Sequence, residues 1–519
     1  MNATHRGLAV FLSAILWGCA GHPPGAEFQK TASAAFAHPE ETPLGRQFAA
    51  EAREHGDDSG FRIVSVGADG FRIRMQMIDA AARTLDLQYY IFRGDATGRL
   101  LTDSLARAAT RGVRIRLLID DADTVPGDEQ ILRLLAFPSV EVRIFNPYRY
   151  RGHSKVMRDL DFLLHASRLN YRMHNKLFVV DNALAVVGGR NIGNQYFQVD
   201  PESQFADEDV FTVGPMVGRL SATFDEFWNS DLAIPAQALG HTNPGPQAQS
   251  GQATAIDYAA LVETHEPFAG ILSGRLPLAW AQAQVVHDSP DKRKVVEGAQ
   301  PGRLIIRAVM DSTRDVKSEI LMISPFFVPA PDELQLLKDL RQHQASVRIL
   351  TNSLESTPEI AAQSGYDRFR VPLLEEGAEL YEIRSRLGNV RGSGQTARVS
   401  RYGNYALHAK VYVFDRRRVF IGSMNYDQRS KHINTEIGLI IDSKELAQQT
   451  AHRFDEMVKP ENCYILALRP SAAPGGSQHL VWRTQEGGED VEYTREPARS
   501  GWQRVEVKLL TVLPLENEL

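Results

Sequence analysis

Short apolar runs alternate with segments of helical periodicity along most of this chain. Residues 85–92 form an apolar run that predicts a strand. Apolar residues then recur at helical spacing over 100–108, Gly112 ends this helix, and residues 113–119 predict a second strand. A strand, a helix and a strand in this order favour a βαβ unit with parallel strands.

The same order of elements returns later in the chain. Residues 320–323 predict a strand, 334–340 a helix and 347–350 another strand, and 113–117 superpose on 347–351 at an offset of 234 residues. Strands and helices that alternate in two copies indicate an α/β fold. We expect duplicated domains with mixed, mostly parallel sheets and flanking helices, related by a pseudo-two-fold axis, with one active site at their interface.

Two copies of the pattern His-x-Lys-x-x-x-x-Asp keep this offset, and a glycine-containing tetrapeptide follows each copy, at 188–191 and at 422–425. Because separate landmarks share one register, the chain contains an internal duplication in which each half supplies one His and one Lys. The candidate catalytic residues are His174, Lys176 and Asp181 in the first copy and His408, Lys410 and Asp415 in the second.

The alternation of side chains along a strand separates the roles within each motif. His174 and Lys176 are two residues apart and share a face, whereas Asp181 lies seven residues after His174, at a predicted hairpin turn. Asp415 has the same place in the second copy. This spacing favours a structural role for each Asp in the turn over a role in proton transfer.

Composition narrows the class of partner. The chain has 58 Lys and Arg against 64 Asp and Glu, so it lacks the basic field with which sequence-independent binders of nucleic acid engage phosphates. Its two cysteines, Cys19 and Cys463, provide no disulfide framework. We therefore expect no nucleic-acid partner and a fold held together by its apolar core.

The N-terminus has the features of an export signal. Arg6 precedes an apolar run at 8–17, which is as long as the apolar region of a signal peptide and too short to span a bilayer. The run ends in Leu-Trp-Gly-Cys-Ala-Gly, which resembles a bacterial lipobox with Cys19 as the acylated residue. We expect an exported lipoprotein on the periplasmic face of a membrane; an ordinary N-terminal helix with a buried Cys19 is the alternative.

Shifts in composition divide the chain into segments. A Pro- and Gly-rich stretch at 235–252 marks the boundary between the halves, and for the mixed apolar and basic tail at 502–515 packing on the second domain is favoured over contact with a membrane. The predicted segments are a signal peptide (1–18), a tether (19–60), a first domain (61–240), a linker or insertion (241–303), a second domain (304–460) and a C-terminal extension (461–519).

The duplicated motif, with its glycine-containing follower, resembles the phospholipase D superfamily. Further stretches at 86–91, 167–176 and 187–193 are similar to the bacterial cardiolipin synthase C group, and the similarity extends from about residue 61 onward. This resemblance implies an enzyme that moves a phosphatidyl group between phospholipid head groups.

The resemblance also implies residues that bind substrate or orient the imidazoles. Where the family commonly has a serine after the first glycine, this chain has Gly189, so we expect one hydroxyl donor to be missing from the first half. The implied substrate-binding residues are Asn191, Ser423 and Asn425, together with Asp209 and Glu436, whose carboxylates would orient the imidazoles.

Cleavage of an anionic phosphodiester needs a nucleophile that is neutral near pH 7 and donors that absorb charge on the non-bridging oxygens. Imidazoles supply the nucleophile, and the lysines and asparagines supply the donors. The resemblance implies that His174 attacks phosphorus to give a phosphohistidine and that His408 serves as acid and base. We expect no cofactor and no metal.

More than one activity is compatible with these motifs. Formation of cardiolipin from phosphatidylglycerol and a second phospholipid, phosphatidylethanolamine or phosphatidylglycerol, is favoured. Hydrolysis to phosphatidic acid, a nuclease of the same superfamily and a lipid-binding scaffold without catalysis are the alternatives. The expected partners are phospholipids and a membrane surface, and the expected state is a monomer with an internal pseudo-dimer.

Overall fold

The computed structural model describes residues 22–122, 128–152, 154–199, 203–240, 267–386, 404–470 and 478–511. The predicted signal peptide and Cys19 lie outside these residues. No helix in the described ranges is both long and apolar enough to cross a bilayer.

Strands and helices alternate through both halves of the chain. The first half contains α1 (Pro43–Glu54), β1 (Ser59–Val64), α2 (Gly67–Ala80), β2 (Thr84–Tyr89), α3 (Ala96–Thr110), β3 (Arg114–Asp120), α4 (Asp128–Arg133), β4 (Val140–Phe145), α5 (Lys155–Leu164), α6 (Ala166–Leu169), β5 (Leu177–Val180), β6 (Leu184–Gly188), β7 (Ser203–Ala206), β8 (Asp209–Val213), α7 (Pro215–Asn229) and β9 (Ala233–Pro235).

The second half has a similar order of elements, although the helix that opens it packs on the core of the first half. It contains α8 (Pro267–Leu272), β10 (Ala279–His287), α9 (Lys292–Val296), α10 (Ile305–Arg314), β11 (Glu319–Ile323), α11 (Pro331–Gln342), β12 (Ser346–Asn352), α12 (Ile360–Asp367), α13 (Arg370–Glu375), β13 (Glu379–Ile383), β14 (Asn404–Leu407), β15 (Lys410–Phe414), β16 (Arg418–Gly422), α14 (Gln428–His432), β17 (Ile437–Asp442), α15 (Lys444–Met457), β18 (Cys463–Arg469), β19 (His479–Glu486), β20 (Glu489–Tyr493) and α16 (Gly501–Thr511).

Both halves build the same eight-stranded arrangement, which β19 and β20 extend beyond β18 in the second half. The first has the strand order β1-β8-β6-β5-β2-β3-β4-β9, and the second has the order β10-β17-β16-β15-β11-β12-β13-β18. The predicted duplicated α/β fold is therefore confirmed. The expectation of mostly parallel sheets was wrong, because in the described sheet of each half parallel pairing is confined to β2-β3-β4 or to β11-β12-β13, and the motif hairpins and flanking strands pair antiparallel. The short pair of β7 with β14, outside these sheets, is parallel as well.

β10 joins the halves. Its first residues pair with β1 and its remaining residues with β17, so it occupies in the second sheet the place that β1 has in the first. β18 pairs with β13 as β9 pairs with β4. The structure thus places strands of the second half in the predicted linker at 241–303 and in the predicted extension at 461–519. Sequence comparison at one fixed offset missed β10, because it does not keep that offset from β1.

The described part of the predicted tether also differs from expectation. Residues 22–60 lie against the first half: α1 buries Leu44 and Phe48, and the backbone nitrogen of Ala35 donates to Asp225 Oδ2 at 2.8 Å. Weak apolar periodicity predicted a free segment, but its polar backbone groups are bound by side chains of the folded body. This stretch belongs to the globular unit.

Helical and sheet layers alternate around the site. α2 and α3 cover the outer face of the first sheet, α7 and α15 lie between the sheets, and α10 and α11 cover the outer face of the second. Along β5, Leu177 and Val179 face the layer between the sheets while Phe178 and Val180 face outward. Burial on both faces explains the continuous apolar run that follows each motif.

α16 packs on the second half, as favoured from the sequence. Val507 is buried, and Gln503 Nε2 donates to the backbone oxygen of Leu354 at 2.9 Å. The other face of α16 exposes Trp502 and Leu509.

Candidate active site

The two motifs meet at the interface between the halves. The backbone nitrogen of His174 donates to the oxygen of Thr435 at 2.9 Å, and that of His408 donates to the oxygen of Ala206 at 2.8 Å. β14, which leads into His408, pairs in parallel with β7. Each motif is therefore held by backbone hydrogen bonds to the opposite half.

Each imidazole is oriented by a carboxylate from the opposite half. His174 Nδ1 lies 2.8 Å from Glu436 Oε2, and His408 Nδ1 lies 2.6 Å from Asp207 Oδ2. Both carboxylates are buried. Because Nδ1 is occupied in each ring, Nε2 is the nitrogen left for a substrate. The pairing crosses the interface twice, so neither half contains a complete site.

The sequence predicted Glu436 correctly as a partner of an imidazole but chose the wrong acid in the first half. Asp209 does not contact a histidine: its Oδ2 lies 2.9 Å from Arg74 Nη2 and 3.2 Å from Arg190 Nη1. Asp207 takes the predicted role. The run Asp-Glu-Asp offered three candidate acids, and spacing from the motif did not separate them.

The register of the sheets identifies the equivalent residues. Gly188 on β6 lies opposite Asp209, and Gly422 on β16 lies opposite Gly438. The residues two positions before these partners, one in each half, are the carboxylates that bind the imidazoles. This correspondence depends on strand pairing, which is why the offset along the sequence could not find it.

The absence of a side chain at Gly189 leaves space for the carboxylate of Asp207. A Cβ built at this position would lie 2.0 Å from Asp207 Oδ1, whereas the equivalent Ser423 donates through Oγ to Glu436 Oε2 at 2.5 Å. The two halves are unequal as predicted, but the missing hydroxyl makes space for the carboxylate. Burial raises the pKa of Glu436 to about 7, although Lys176 and Ser423 oppose this shift.

Each motif lysine is bound to the backbone of the histidine in its own motif. Lys176 Nζ donates to the backbone oxygen of His174 at 2.6 Å, and Lys410 Nζ donates to that of His408. Burial lowers the pKa of Lys176 well below its usual value and that of Lys410 to about 8, while Glu436 opposes both shifts. The protein buries two amines whose charged form a bound phosphate would stabilise, which would offset the cost of their burial.

Both imidazoles are neutral at pH 7 in the free site. Burial, assisted by Lys176 and Lys410, lowers the pKa of His174 well below its usual value. Burial and Lys410 lower the pKa of His408 to about 3, against the opposing charge of Asp207. Burial alone would raise the pKa of Asp207, but His408 and Lys410 outweigh it and hold this carboxyl ionised. A neutral imidazole is the form that can attack phosphorus.

The predicted substrate-binding asparagines, Asn191 and Asn425, are buried and each has a polar atom without a hydrogen-bond partner among the described residues. Asn191 Oδ1 accepts from the backbone nitrogen of Ile91 at 3.1 Å, and its buried Nδ2 has no hydrogen-bond partner among the described residues. The unpaired atom of Asn425 is its Oδ1, which is an acceptor. Of the two, Asn191 therefore presents the fixed, unsatisfied donor that suits a non-bridging phosphate oxygen.

Aromatic rings enclose the imidazoles. Tyr90 approaches His174 edge-on with ring centroids 5.0 Å apart, and Tyr196 does the same to His408 at 5.1 Å. Phe205 stacks on His408 at 5.2 Å. No sequence pattern pointed to Phe205, which reaches the site only because β7 pairs with β14. These rings exclude water from around both imidazoles.

The motif aspartates lie at turns away from the histidines. Asp181 accepts from the backbone nitrogens of Ala82, Arg83 and Thr84 at 2.9, 2.7 and 2.8 Å, and so fixes the start of β2. Asp415 does the same at the start of β11. The structure therefore does not bring these two candidate catalytic residues to the reacting groups, in agreement with the structural role that their spacing favours.

Replacement of Asp181 by alanine is expected to lower the free energy of unfolding by about 3 kcal/mol or more, because this carboxylate is fully buried and one buried and two part-buried N–H groups lose their acceptor. Asp415→Ala is the matched control and should cost less, since the nitrogens of Lys317 and Ser318 are exposed and water can replace the carboxylate. Urea unfolding of both variants measures this difference. A turnover defect in folded Asp181→Ala as large as that of a histidine variant would contradict the structural assignment.

No group of three or more His, Cys, Asp or Glu side chains in the described ranges is arranged to hold a metal ion.

Comparisons with known proteins show a family match in each half of the chain. The family model described as "Cardiolipin synthase, PLD-like domain" matches residues 75–228 and 306–458, one match for each half. Cardiolipin synthase C of Escherichia coli (strain K12) is 35% identical over 476 residues, which are 89% of this chain and 97% of that protein. The major cardiolipin synthase ClsA of Bacillus subtilis (strain 168) is 26% identical over 77% of this chain and 69% of its own length.

A solved structure shares the fold. The phosphatidylserine synthase of Haemophilus influenzae Rd KW20 superposes with a TM-score of 0.51 at 12% identity, over 81% of this chain and 92% of that one. At this identity the likeness concerns the fold alone.

Proposed function

The chain belongs to the cardiolipin synthase PLD-like domain family of the phospholipase D superfamily, and on this basis we propose that it is a phosphatidyl transferase that makes cardiolipin. The acceptor is phosphatidylglycerol, and the donor is phosphatidylethanolamine or a second phosphatidylglycerol. The observation that carries the proposal is the crossed pairing of His174 with Glu436 and of His408 with Asp207 in one buried site.

In the first step, His174 Nε2 attacks the donor phosphorus. An N–P bond forms and the bond from phosphorus to the head-group oxygen breaks. His408, protonated in the presence of the anionic substrate, gives its proton to the departing alkoxide. Lys176, Lys410 and the amide of Asn191 stabilise charge on the non-bridging oxygens.

In the second step, His408 takes the proton from a glycerol hydroxyl of phosphatidylglycerol. The resulting oxygen attacks phosphorus, the N–P bond breaks, and cardiolipin leaves with His174 regenerated. The division of roles follows the resemblance. Burial and the two lysines favour the neutral form of both imidazoles, and the ionised Asp207 beside His408 opposes this and stabilises the imidazolium that forms there.

Water could replace the lipid alcohol in the second step, which would make phosphatidic acid. The aromatic rings around both histidines favour the lipid, because they lower the access of water to the intermediate. We further propose that the protein acts as an exported lipoprotein on the periplasmic face of a membrane, acylated at Cys19. The motif at the N-terminus supports this location.

The test is product analysis by mass spectrometry after incubation of purified protein with phosphatidylethanolamine and phosphatidylglycerol of different acyl chains. We expect cardiolipin, and the acyl composition identifies the donor: mixed chains with release of ethanolamine indicate phosphatidylethanolamine, while release of glycerol alone indicates phosphatidylglycerol. Phosphatidic acid as the sole product would make the protein a hydrolase. Absence of any phospholipid product would overturn the proposal.

A further inference from the structure

α5 is an amphipathic helix whose apolar face is exposed. Among the described residues, eleven large apolar side chains are exposed, and five of them lie in this ten-residue helix. They are Val156, Met157, Leu160, Leu163 and Leu164. Their spacing is that of a stripe which normally faces a core, yet Val156 is 75% and Leu163 72% exposed.

The polar side of the same helix faces the protein. Arg158 lies over the ring of Tyr148 at 4.0 Å and contacts Asp121. Asp161 is buried, and its Oδ2 accepts from the backbone nitrogen of Tyr150 at 2.8 Å. The orientation is thus fixed by specific polar contacts, and the exposed stripe is a built feature of the fold. Exposed apolar surface of this kind marks an interaction site.

α5 lies at the carboxyl ends of the parallel strands of the first sheet. The motif with the proposed nucleophile, His174, is anchored at this same edge. Asp121, which holds Arg158 of the helix, directly follows β3, and the neighbouring Asp120 accepts from the backbone nitrogen of Met173 at 2.7 Å. Met173 precedes His174. Helix and catalytic motif are therefore anchored to adjacent residues at the end of one strand.

The charged residues around α5 indicate which partner its exposed apolar stripe binds. Segment 149–172 contains six Lys and Arg and two Asp, in a chain whose net charge is −6. Asp120 and Asp121 are buried and pair with some of these cations, and Lys155 pairs with the exposed Asp159 at 2.7 Å. Cations still outnumber carboxylates, and the side chains of Arg149 and Lys155 are exposed beside the stripe. Cations that flank an apolar stripe match the interface of a bilayer with anionic lipids.

We propose that α5 docks the enzyme on the surface of an anionic phospholipid membrane, with Val156, Leu160, Leu163 and Leu164 in the acyl boundary and Arg149 and Lys155 at the phosphates. The inference rests in part on the proposed function, since a lipid substrate must reach His174 while its acyl chains stay in the bilayer. Docking through a helix at the same edge brings the site to the head groups without transfer of whole lipids into water.

The first measurement reports insertion at the helix itself. In full-length Cys19→Ser protein, Leu163→Cys is labelled with a polarity-sensitive fluorophore; the other thiol, Cys463, is buried. We expect a blue shift with vesicles of phosphatidylglycerol and phosphatidylethanolamine and a weaker one with phosphatidylcholine alone. The control carries the label at Val296→Cys on α9 and should not shift. No shift at residue 163, or an equal shift at residue 296, would overturn the proposal.

The second measurement separates docking from catalysis. Leu163→Asp with Leu164→Asp should lower transfer between vesicle lipids about tenfold or more, while transfer between short-chain lipids dissolved as monomers is unchanged. Val296→Asp with Val371→Asp removes as many exposed apolar side chains and adds the same charge, and it should leave both rates unchanged. If this control loses as much vesicle activity as the α5 variant, or if the α5 variant changes only self-association, α5 is not the membrane contact.

The two proposals can fail separately. If wild type makes no lipid product from either form of substrate, the proposed function fails, and the fluorophore still decides whether α5 enters a bilayer. If product forms but the fluorophore does not shift with any vesicle, the transferase stands and the docking surface does not.

Discussion

His174→Ala is expected to lose all measurable phosphatidyl transfer, a fall of about 10⁴-fold or more, because it removes the atom that bonds to phosphorus. His408→Ala should lose steady-state turnover to a similar extent but retain the first chemical step with a donor that needs no acid. A phosphatidyl ester of p-nitrophenol is such a donor, since its leaving group departs as a stable anion. The two histidines can therefore be told apart although both variants are inactive towards natural lipids.

The measurement is rapid-mixing absorbance at the nitrophenolate band followed by intact-protein mass spectrometry. His408→Ala should release a burst of at most one equivalent and gain the mass of one phosphatidyl group, and His174→Ala should show neither. Wild type serves as the control and should turn over continuously. A burst in His174→Ala but not in His408→Ala would reverse the roles, and a burst in both would place the nucleophile elsewhere.

Asp207→Asn is expected to lower the rate of transfer by about 10²- to 10⁴-fold, as loss of the charge behind a catalytic imidazole does in comparable sites. The amide keeps the shape of the side chain but cannot stabilise the imidazolium of His408. Asp209→Asn is the matched control, two residues away and equally buried. Because Asp209 pairs with Arg74 and Arg190, its loss should lower stability and leave the rate per folded molecule largely intact.

Initial rates across pH, together with thermal unfolding, distinguish these outcomes. We expect Asp207→Asn to shift the pH profile of the rate, which a purely structural residue would not do, while Asp209→Asn lowers the melting temperature without such a shift. If the rate falls in Asp209→Asn and persists in Asp207→Asn, the acid chosen from the sequence was the correct one and the geometry of the site has been misread.

The crossed arrangement explains why the two halves cannot act alone. Glu436 reaches His174, and Asp207 reaches His408, only when the halves are joined. The backbone pairs between Met173 and Thr435 and between β14 and β7 hold this junction. Duplication therefore produced one shared site in which each half completes the other.

The periodic pattern of the chain determined the duplicated α/β fold and the motif hairpins, and it pointed to the candidate catalytic side chains. These features are local or repeat at a constant offset: His174 and Lys176 share a face because strands alternate, and Asp181 lies at a turn because seven residues separate it from the histidine. The same reasoning found His408, Lys410 and Asp415. Properties that depend on spacing alone can be read without a structure.

Only the tertiary structure decided which groups meet across the halves. The choice of Asp207 over Asp209, the space at Gly189 for a carboxylate, and the place of β10 in the second sheet all depend on strand register between distant segments. The outward stripe of α5 has the periodicity of a core helix, and its direction is set by polar contacts of its other face. Long-range pairing is a property of the folded chain, because no local pattern specifies which partner a strand or a helix face will meet.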